Sequence, residues 1–282
     1  MALEHGQVSA PPPRRVGPEA FARSRETALW WLTNAGFLIN SRGLLLLLDP
    51  AISMSPDAPA ASETGLRLLV PLPLQAADIP LLDLVLYTHA DGDHFAPLTA
   101  RQLLRTGALF LAPPPVAREL ARLGAPSDRV RVARVGEEMR VRDVVVVPTP
   151  ADHPWQAQDP ARYGPPWGPE DCVGYLLRTP DGAIWCPGDT RLMDAHVQMR
   201  NVDLLLLDVS RDEYHLGVDN AARLASILDV PHIIPYHWGT YHAPDHPAYN
   251  GDPAEVAAKL HHADRRFHPL APGERYVLRR RA

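Results

Sequence analysis

The segment Tyr87-Thr88-His89-Ala90-Asp91-Gly92-Asp93-His94-Phe95 crowds imidazoles and carboxylates into one short stretch. His89, Asp91, Asp93 and His94 are all side-chain types that bind divalent cations. Gly92 lets the backbone turn so that such side chains can converge. The chemistry this spacing points to is metal coordination. The alternative is a polar strand-to-helix loop in which Asp93 caps the helix.

The cluster does not stand alone. Asp152-His153, Pro187-Gly188-Asp189-Thr190 and Tyr236-His237-Trp238 each follow a short apolar run. One histidine after a strand is usually a hydrogen-bonded loop residue. Three such ends, added to the 89–94 cluster, are hard to explain that way. Strand ends along one edge of a sheet sandwich can meet in one cleft, and a rigid strand end fixes a ligand well.

The elements that would do this can be read from apolar runs and turn residues. A hairpin is expected from residues 29–40 and Leu44–Leu48, closed by Asp49-Pro50. Further strands are expected at 84–87, 108–111, 129–132, Met139–Val141, 144–147, 173–177, 183–186, Leu204–Asp208, 232–235 and 275–278. Helices are expected at 98–105, 115–123, from an Asp219 N-cap to Leu228, and at 253–263. Residues 51–80 and 154–171 are Pro-rich and carry no clear element. Trp155, Tyr163 and Trp167 in the second stretch are candidates to line a cleft or to pack as buried loop aromatics.

Composition bounds the rest. The chain has 282 residues, 46% hydrophobic and 22% charged, ordinary for a folded globular protein and unlike a disordered or fibrous one. The formal net charge of −5 gives no basic excess to suit nucleic acid or an anionic membrane. Thirty-one prolines imply many rigid loops, and 13 histidines justify the search for ligands. Two cysteines, Cys172 and Cys186, form no C-x-x-C pair or disulfide framework, so a reducing cytoplasm is the expected compartment. No signal-peptide pattern and no run long enough to span a bilayer is present. Residues 1–27, with Pro11-Pro12-Pro13 before Arg14-Arg15, are expected to be a flexible arm, and residues 28–282 a single domain.

The order of these residues resembles the metallo-β-lactamase superfamily. That family carries an Asp at an early strand end, an H-x-H-x-D-H motif, then a His, an Asp and a His. Asp49, His89 to His94, His153, Asp189 and His237 match in turn. The resemblance implies an α/β fold, an αββα sandwich of two mixed β-sheets with helices on the outer faces. It covers residues 29 to about 278. Trp31-Leu32-Thr33-Asn34-Ala35-Gly36-Phe37, Leu48-Asp49-Pro50 and Pro235-Tyr236-His237-Trp238 look like the lactonase-like branch, similar to ascorbate-6-phosphate lactonase and to the phospholipase D that cleaves N-acyl phosphatidylethanolamine.

By the same resemblance, one metal would be held by His89, Asp91 and His153, and a second by Asp93, His94 and His237, with Asp189 bridging. Asp49 would orient a ligand. The implied activity is hydrolysis of a lactone, ester or phosphodiester of a small molecule by a metal-bound hydroxide, with Asp93 and Asp189 orienting it. His242 is a candidate to protonate the leaving group, against a plain surface role. Arg162 and Arg191 are candidates to meet an anionic group. His215 and His246 lie in loops that could approach the cleft; His5, His196, His261, His262 and His268 have no ligand context.

One departure matters. The second His of the motif is Asp91 here. Three carboxylates and a hydroxide against two divalent ions sum to about zero charge, where the usual set gives about +1. A carboxylate is also a harder ligand, so Mn or Fe is expected to compete with Zn. The alternatives are that Asp91 is no ligand and one metal is kept, or a non-hydrolytic or di-iron redox protein on the same scaffold. The di-iron oxygen reductases of the superfamily carry a carboxylate at this position, though no flavin-carrying domain is seen here. Association of the chain with copies of itself stays open.

Overall fold

The leucine run Leu44–Leu48 is buried along its whole length. Its side chains alternate between two cores: Leu44, Leu46 and Leu48 join one, and Leu45 and Leu47 the other. A strand with apolar side chains on both faces must be covered on both. In the computed structural model, which describes residues 6–280, it is the central strand of a seven-stranded sheet.

That sheet contains β1 (Thr27–Trp31), β2 (Phe37–Ser41), β3 (Leu44–Leu48), β4 (Leu84–Leu86), β5 (Leu109–Ala112), β6 (Val130–Val132) and, at its edge, β13 (Arg275–Val277). The second sheet has six strands: β7 (Met139–Val141), β8 (Val144–Pro150), β9 (Val173–Thr179), β10 (Gly182–Cys186), β11 (Leu204–Asp208) and β12 (His232–Tyr236). The spatial orders are β13-β1-β2-β3-β4-β5-β6 and β12-β11-β10-β9-β8-β7. Both sheets are mixed, with β3 to β6 parallel in one and β10 to β12 parallel in the other.

Leu29, Trp31 and Leu46 from the first sheet meet Val146, Tyr175 and Trp185 from the second in the core between them. The helices Pro97–Leu103 and Pro114–Arg122 cover the outer face of the first sheet, through Ala100, Leu103, Val116 and Leu120. The helix Gly217–Leu228 contributes Ala221, Leu224 and Ala225 to the core at the second sheet. This is the expected αββα sandwich. Burying a leucine of this kind contributes about 1.5–3 kcal/mol, so the double-faced strand β3 is a strong organising element.

Register explains where the site lies. β3 and β4 run parallel. β8 and β10 are each antiparallel to β9, so they run parallel to one another and to β11 and β12. The carboxyl ends of β3 and β4 therefore share one edge, as do those of β8, β10, β11 and β12. All the candidate ligands lie just beyond these ends, the usual place for ligands in such sheets.

Several local expectations are revised. Residues 29–40 are two strands rather than one arm of a hairpin, with Asn34 left-handed (φ 49°) in the turn between them. The helix expected at 98–105 runs Pro97–Leu103 and tightens into a 3₁₀ turn at Leu104–Thr106. Asp93 does not cap it: the Glu63 carboxylate accepts from the N–H groups of Leu98 (2.7 Å) and Thr99 (3.0 Å). Asp219 lies inside the first turn of Gly217–Leu228 rather than at its N-cap, and pairs with Lys259 (3.0 Å). The expected helix at 253–263 is two short ones, Pro253–Ala257 and Ala263–Arg266, with His262 left-handed (φ 56°) between them.

The segment expected to be a flexible arm is packed on the domain over residues 6–27; residues 1–5, with His5, lie outside the described part. Ala10 N–H donates to the Gly239 carbonyl (2.8 Å), Arg14 N–H to Pro272 (2.7 Å) and Val16 N–H to Pro73 (3.0 Å). Val16 and Ala20 enter a core cluster. Proline supplies an extended backbone, and carbonyls distant in sequence satisfy the N–H groups between the prolines. Among the described residues, no helix is long and apolar enough to cross a membrane.

Candidate metal centre

His89 follows β4 through Tyr87 and Thr88, His153 follows β8, Asp189 follows β10 through Pro187 and Gly188, and His237 follows β12 directly. Gly188 is left-handed (φ 74°), and a Cβ there would meet the Val173 carbonyl at 2.9 Å, so glycine is what lets Asp189 turn inward. His237 is itself left-handed (φ 64°), a rare state for a non-glycine residue.

These ends bring the candidates into three overlapping sets of donor atoms. The first is His89, Asp91 and His153, with Asp91 Oδ2 lying 3.3 Å from His89 Nε2 and 3.4 Å from His153 Nε2. The second is Asp93, His94, Asp189 and His237, with His94 Nε2 3.0 Å from Asp189 Oδ2 and 3.5 Å from Asp93 Oδ2. The third is His153, Asp189 and His215, with His215 Nε2 3.0 Å from Asp189 Oδ2. Asp189 Oδ2 is also 3.8 Å from His89 Nε2, so this carboxylate reaches every set.

The outer nitrogen of each imidazole is tied to an acceptor. The Thr88 hydroxyl donates to Asp49 Oδ2 (2.6 Å) and so accepts from His89 Nδ1 (2.9 Å). His94 Nδ1 donates to Asp49 Oδ2 (2.9 Å) and His153 Nδ1 to the Tyr214 carbonyl (2.9 Å). His237 Nδ1 donates to Ser210 Oγ (3.0 Å) or the Ala248 carbonyl (3.1 Å), and His215 Nδ1 to Asp212 Oδ1 (2.7 Å). With Nδ1 protonated, each ring presents a bare Nε2 to the common centre. The Nε2 atoms of His94 and His237 are only 3.1 Å apart. Two facing nitrogens at that distance need a proton or a metal ion between them.

Two buried atoms at the centre, His89 Nε2 and Asp189 Oδ1, have no hydrogen-bond partner among the described residues. A buried polar atom without a partner is costly, and a metal ion would satisfy both. The electrostatics point the same way. Burial pushes the Asp91 carboxyl up, yet the adjoining His153 and His89 rings outweigh it and hold it well below the usual range. Burial disfavours a charged His94, but Asp189, Asp93 and Asp49 overcome that and raise it well above an ordinary imidazole. The field that draws a proton to His94 equally favours a divalent cation. Nitrogen and carboxylate donors in these numbers fit Zn, Mn or Fe.

All seven expected ligands thus come together, with Asp49 behind His94. His242 does not join them: its backbone bonds to Arg67, and the cavity beside the donors is lined by His246 and Tyr249 instead. His215, expected only as a loop residue that could approach the cleft, joins the donors, and His246 joins the cavity lining. His215 precedes a helix rather than ending a strand, and an Asp212 turn places it; Asp212 Oδ1 accepts from Tyr214 N–H (2.8 Å) as well as from the ring. The Asp-x-x-His spacing is the only local signal. His196, by contrast, accepts from Met193 N–H at Nδ1 (3.2 Å) and donates from Nε2 to the Pro150 carbonyl at the end of β8 (2.9 Å).

The cavity measures about 580 Å³ and has Asp91, Asp93, Asp189 and His153 at its floor. Trp155 and Tyr163 stand in its wall, and Trp167 packs on the rings of His89 and His153 (5.4 and 6.2 Å). Arg191 is held by the Asp152 carboxylate (2.6 and 2.9 Å), and the Arg162 guanidinium lies 5.0 Å from the Tyr163 ring.

The family described as "Beta-lactamase superfamily domain" matches residues 45–238. A protein of Methanopyrus kandleri named a UPF0173 metal-dependent hydrolase is 26% identical over 251 residues, covering 87% of this chain and 97% of its own. Among solved structures, an isothiocyanate hydrolase from Delia radicum gut bacteria superposes with a TM-score of 0.67 at 19% identity, covering 89% of this chain and 99% of its own. CmlA, a diiron beta-hydroxylase from Streptomyces venezuelae, superposes with a TM-score of 0.66 at 18% identity, over 91% of this chain and 54% of its own. The two structural likenesses establish a shared fold.

Proposed function

The chain belongs to the beta-lactamase superfamily, and from that premise we propose that it is a metal-dependent hydrolase of a small-molecule lactone, ester or phosphodiester, akin to the lactonase-like branch. The observation that carries this reading is the set of bare Nε2 atoms and carboxylate oxygens aimed at one buried centre on the floor of a cavity. When bound there, one or two divalent ions would supply Lewis acidity and lower the pKa of a water.

The protein's own groups do the rest. Asp93 and Asp189 accept hydrogen bonds from the attacking water and fix its direction. Asn34 Nδ2 donates to Asp93 Oδ2 (2.8 Å) and keeps that carboxylate from turning. Asp49 and Ser210 hold His94 and His237. His215, with Nδ1 anchored on Asp212, points Nε2 at Asp189 and lines the cavity, which makes it better placed than His242 to meet a leaving group.

Asp91 adds a carboxylate where the superfamily motif has an imidazole, so Mn or Fe is expected to compete with Zn. The same residue favours a second reading, oxidative chemistry at two irons. One experiment separates them. Protein from rich medium is analysed for bound metals, then reloaded with Zn, Mn or Fe and offered lactones, aryl esters and bis-p-nitrophenyl phosphate. Turnover that disappears with chelator supports hydrolysis. No turnover with any metal, together with dioxygen consumption by the iron form, replaces it with the redox reading. Zinc alone at full occupancy rejects the Mn/Fe preference. The free, buried thiols of Cys172 and Cys186 suit a cytoplasmic setting.

A further inference from the structure

Resting on the hydrolase reading, we infer that the substrate is an uncharged, ring-bearing carboxylic ester or lactone and not a phosphodiester. The inference comes from what the cavity wall offers a ligand beyond the metal donors. Among the described residues that line it, none is a lysine or an arginine. The two arginines expected from the sequence to meet an anionic group are otherwise engaged: Arg191 forms its paired bonds with Asp152, and Arg162 sits against the Tyr163 ring. The lining instead adds a further carboxylate, Asp212, itself tied to His215.

A phosphodiester keeps its negative charge throughout hydrolysis. Sites for it commonly surround the non-reacting oxygens with arginine, lysine or clustered backbone N–H groups. Here the donor set already holds three carboxylates, so even two divalent ions leave little positive charge once a hydroxide is counted. A neutral ester carries no charge into the site and asks only for stabilisation at one oxygen during the reaction.

Much of the rest of the wall is aromatic. Trp155 and Tyr163 lie together (ring centroids 4.8 Å), Tyr163 is 37% exposed, and Tyr214 and Tyr249 join them beside neutral residues such as Leu66 and Pro247. Flat faces of this kind bind planar rings by stacking and apolar burial. Gln158 is an exposed, neutral member of the same wall. In the reaction, water adds to the acyl carbon, the acyl C–O bond breaks, and the products are a carboxylic acid and an alcohol, or one hydroxy acid from a lactone. No oxidant or other co-reactant is required.

The test uses the full chain loaded with zinc and four probes: dihydrocoumarin, δ-valerolactone, diphenyl phosphate and dimethyl phosphate. Ligand-observed NMR gives affinities, and product analysis gives rates. Dihydrocoumarin is expected to bind about tenfold or more tighter than diphenyl phosphate, and several-fold tighter than δ-valerolactone. Tyr163→Ala should erase the preference between the two lactones. Gln158→Lys should improve diphenyl phosphate binding by about fivefold relative to the lactones. Equal or tighter binding of diphenyl phosphate, or binding of no probe, overturns the inference. Selective lactone binding without turnover keeps the substrate class and rejects the hydrolase; turnover confined to the phosphodiesters does the reverse. Thermal melting of both variants confirms that they fold.

Discussion

The two main donor sets differ in how they are held. Asp93, His94, Asp189 and His237 are all buried; Asn34, Asp49 and Ser210 stand behind Asp93, His94 and His237, and Asp189 lies 3.0 Å from His215 Nε2. In the set His89, Asp91 and His153, the Asp91 side chain is 19% exposed and its bonding comes from the two histidines alone. Both sets reach the cavity, but only the outer one does so through a partly exposed carboxylate. The deeper set is therefore preformed and the outer one adaptable, so a substitution in each should cost differently.

Asp189 reaches all three donor groups, so it gives the largest effect. Asp189→Ala should lower the rate on the order of 10³-fold and release metal from both sets. Rates and metal content of the purified variant measure this. Full metal content with a normal rate would break the comparison at its centre. Next comes Asp91→Ala, which removes only the outer set's carboxylate. It should leave close to one ion per chain and cut the rate on the order of 10²-fold. Equal loss of both ions would show that the two sets are one cooperative unit.

Behind the deep set, Asp49→Asn tests the anchors. Asp49 accepts from Thr88 N–H (2.7 Å), the Thr88 hydroxyl and His94 Nδ1, and an amide cannot accept all three. Metal affinity should fall about 10–100-fold, read by competition with a chelator. The matching change in the outer set, Thr88→Val, frees His89 Nδ1 and also removes a donor to Asp49. Its effect should resemble that of Asp49→Asn if Asp49 is the shared anchor, and should be smaller if the sets are supported separately.

The same contrast explains what could be read from the sequence. Ligands at strand ends announce themselves, because an apolar run followed by His or Asp fixes both the element and the direction of its last side chain. His89, His153, Asp189 and His237 are of this kind. His215 is not: a turn at Asp212 aims it, and its partner Asp189 is remote in the chain. The packing of residues 6–27 was hidden for a related reason. A Pro-rich stretch looks like a linker until carbonyls such as those of Gly239, Pro272 and Pro73 are placed beside it by the fold. Helix ends misled where tertiary groups overrode local preference, as where Glu63, far upstream, caps Pro97–Leu103.

The smallest effect belongs far from both sets, where the sheets are fastened at the loops carrying Arg42 and Asp181. The Asp181 carboxylate accepts from Thr27 N–H (2.9 Å), the Thr27 hydroxyl (2.8 Å) and Arg42 Nε (3.0 Å). The Arg42 hydrogen bond is the main reason that its carboxyl lies below the ordinary value, with burial opposing. A carboxyl whose folded pKa is depressed stabilises the fold above its unfolded pKa, near 3.9, and that contribution fades as pH falls through the folded value. The Arg42 side chain is about half exposed, so screening keeps the effect small. Asp181→Asn should lower Tm by about 1–3 °C above pH 5, and the gap from the parent should close in acid. Metal content and rate should not move. A variant that lost metal would mean that the fastening of the sheets, and not only the anchors behind the rings, sets the geometry of the deep donors.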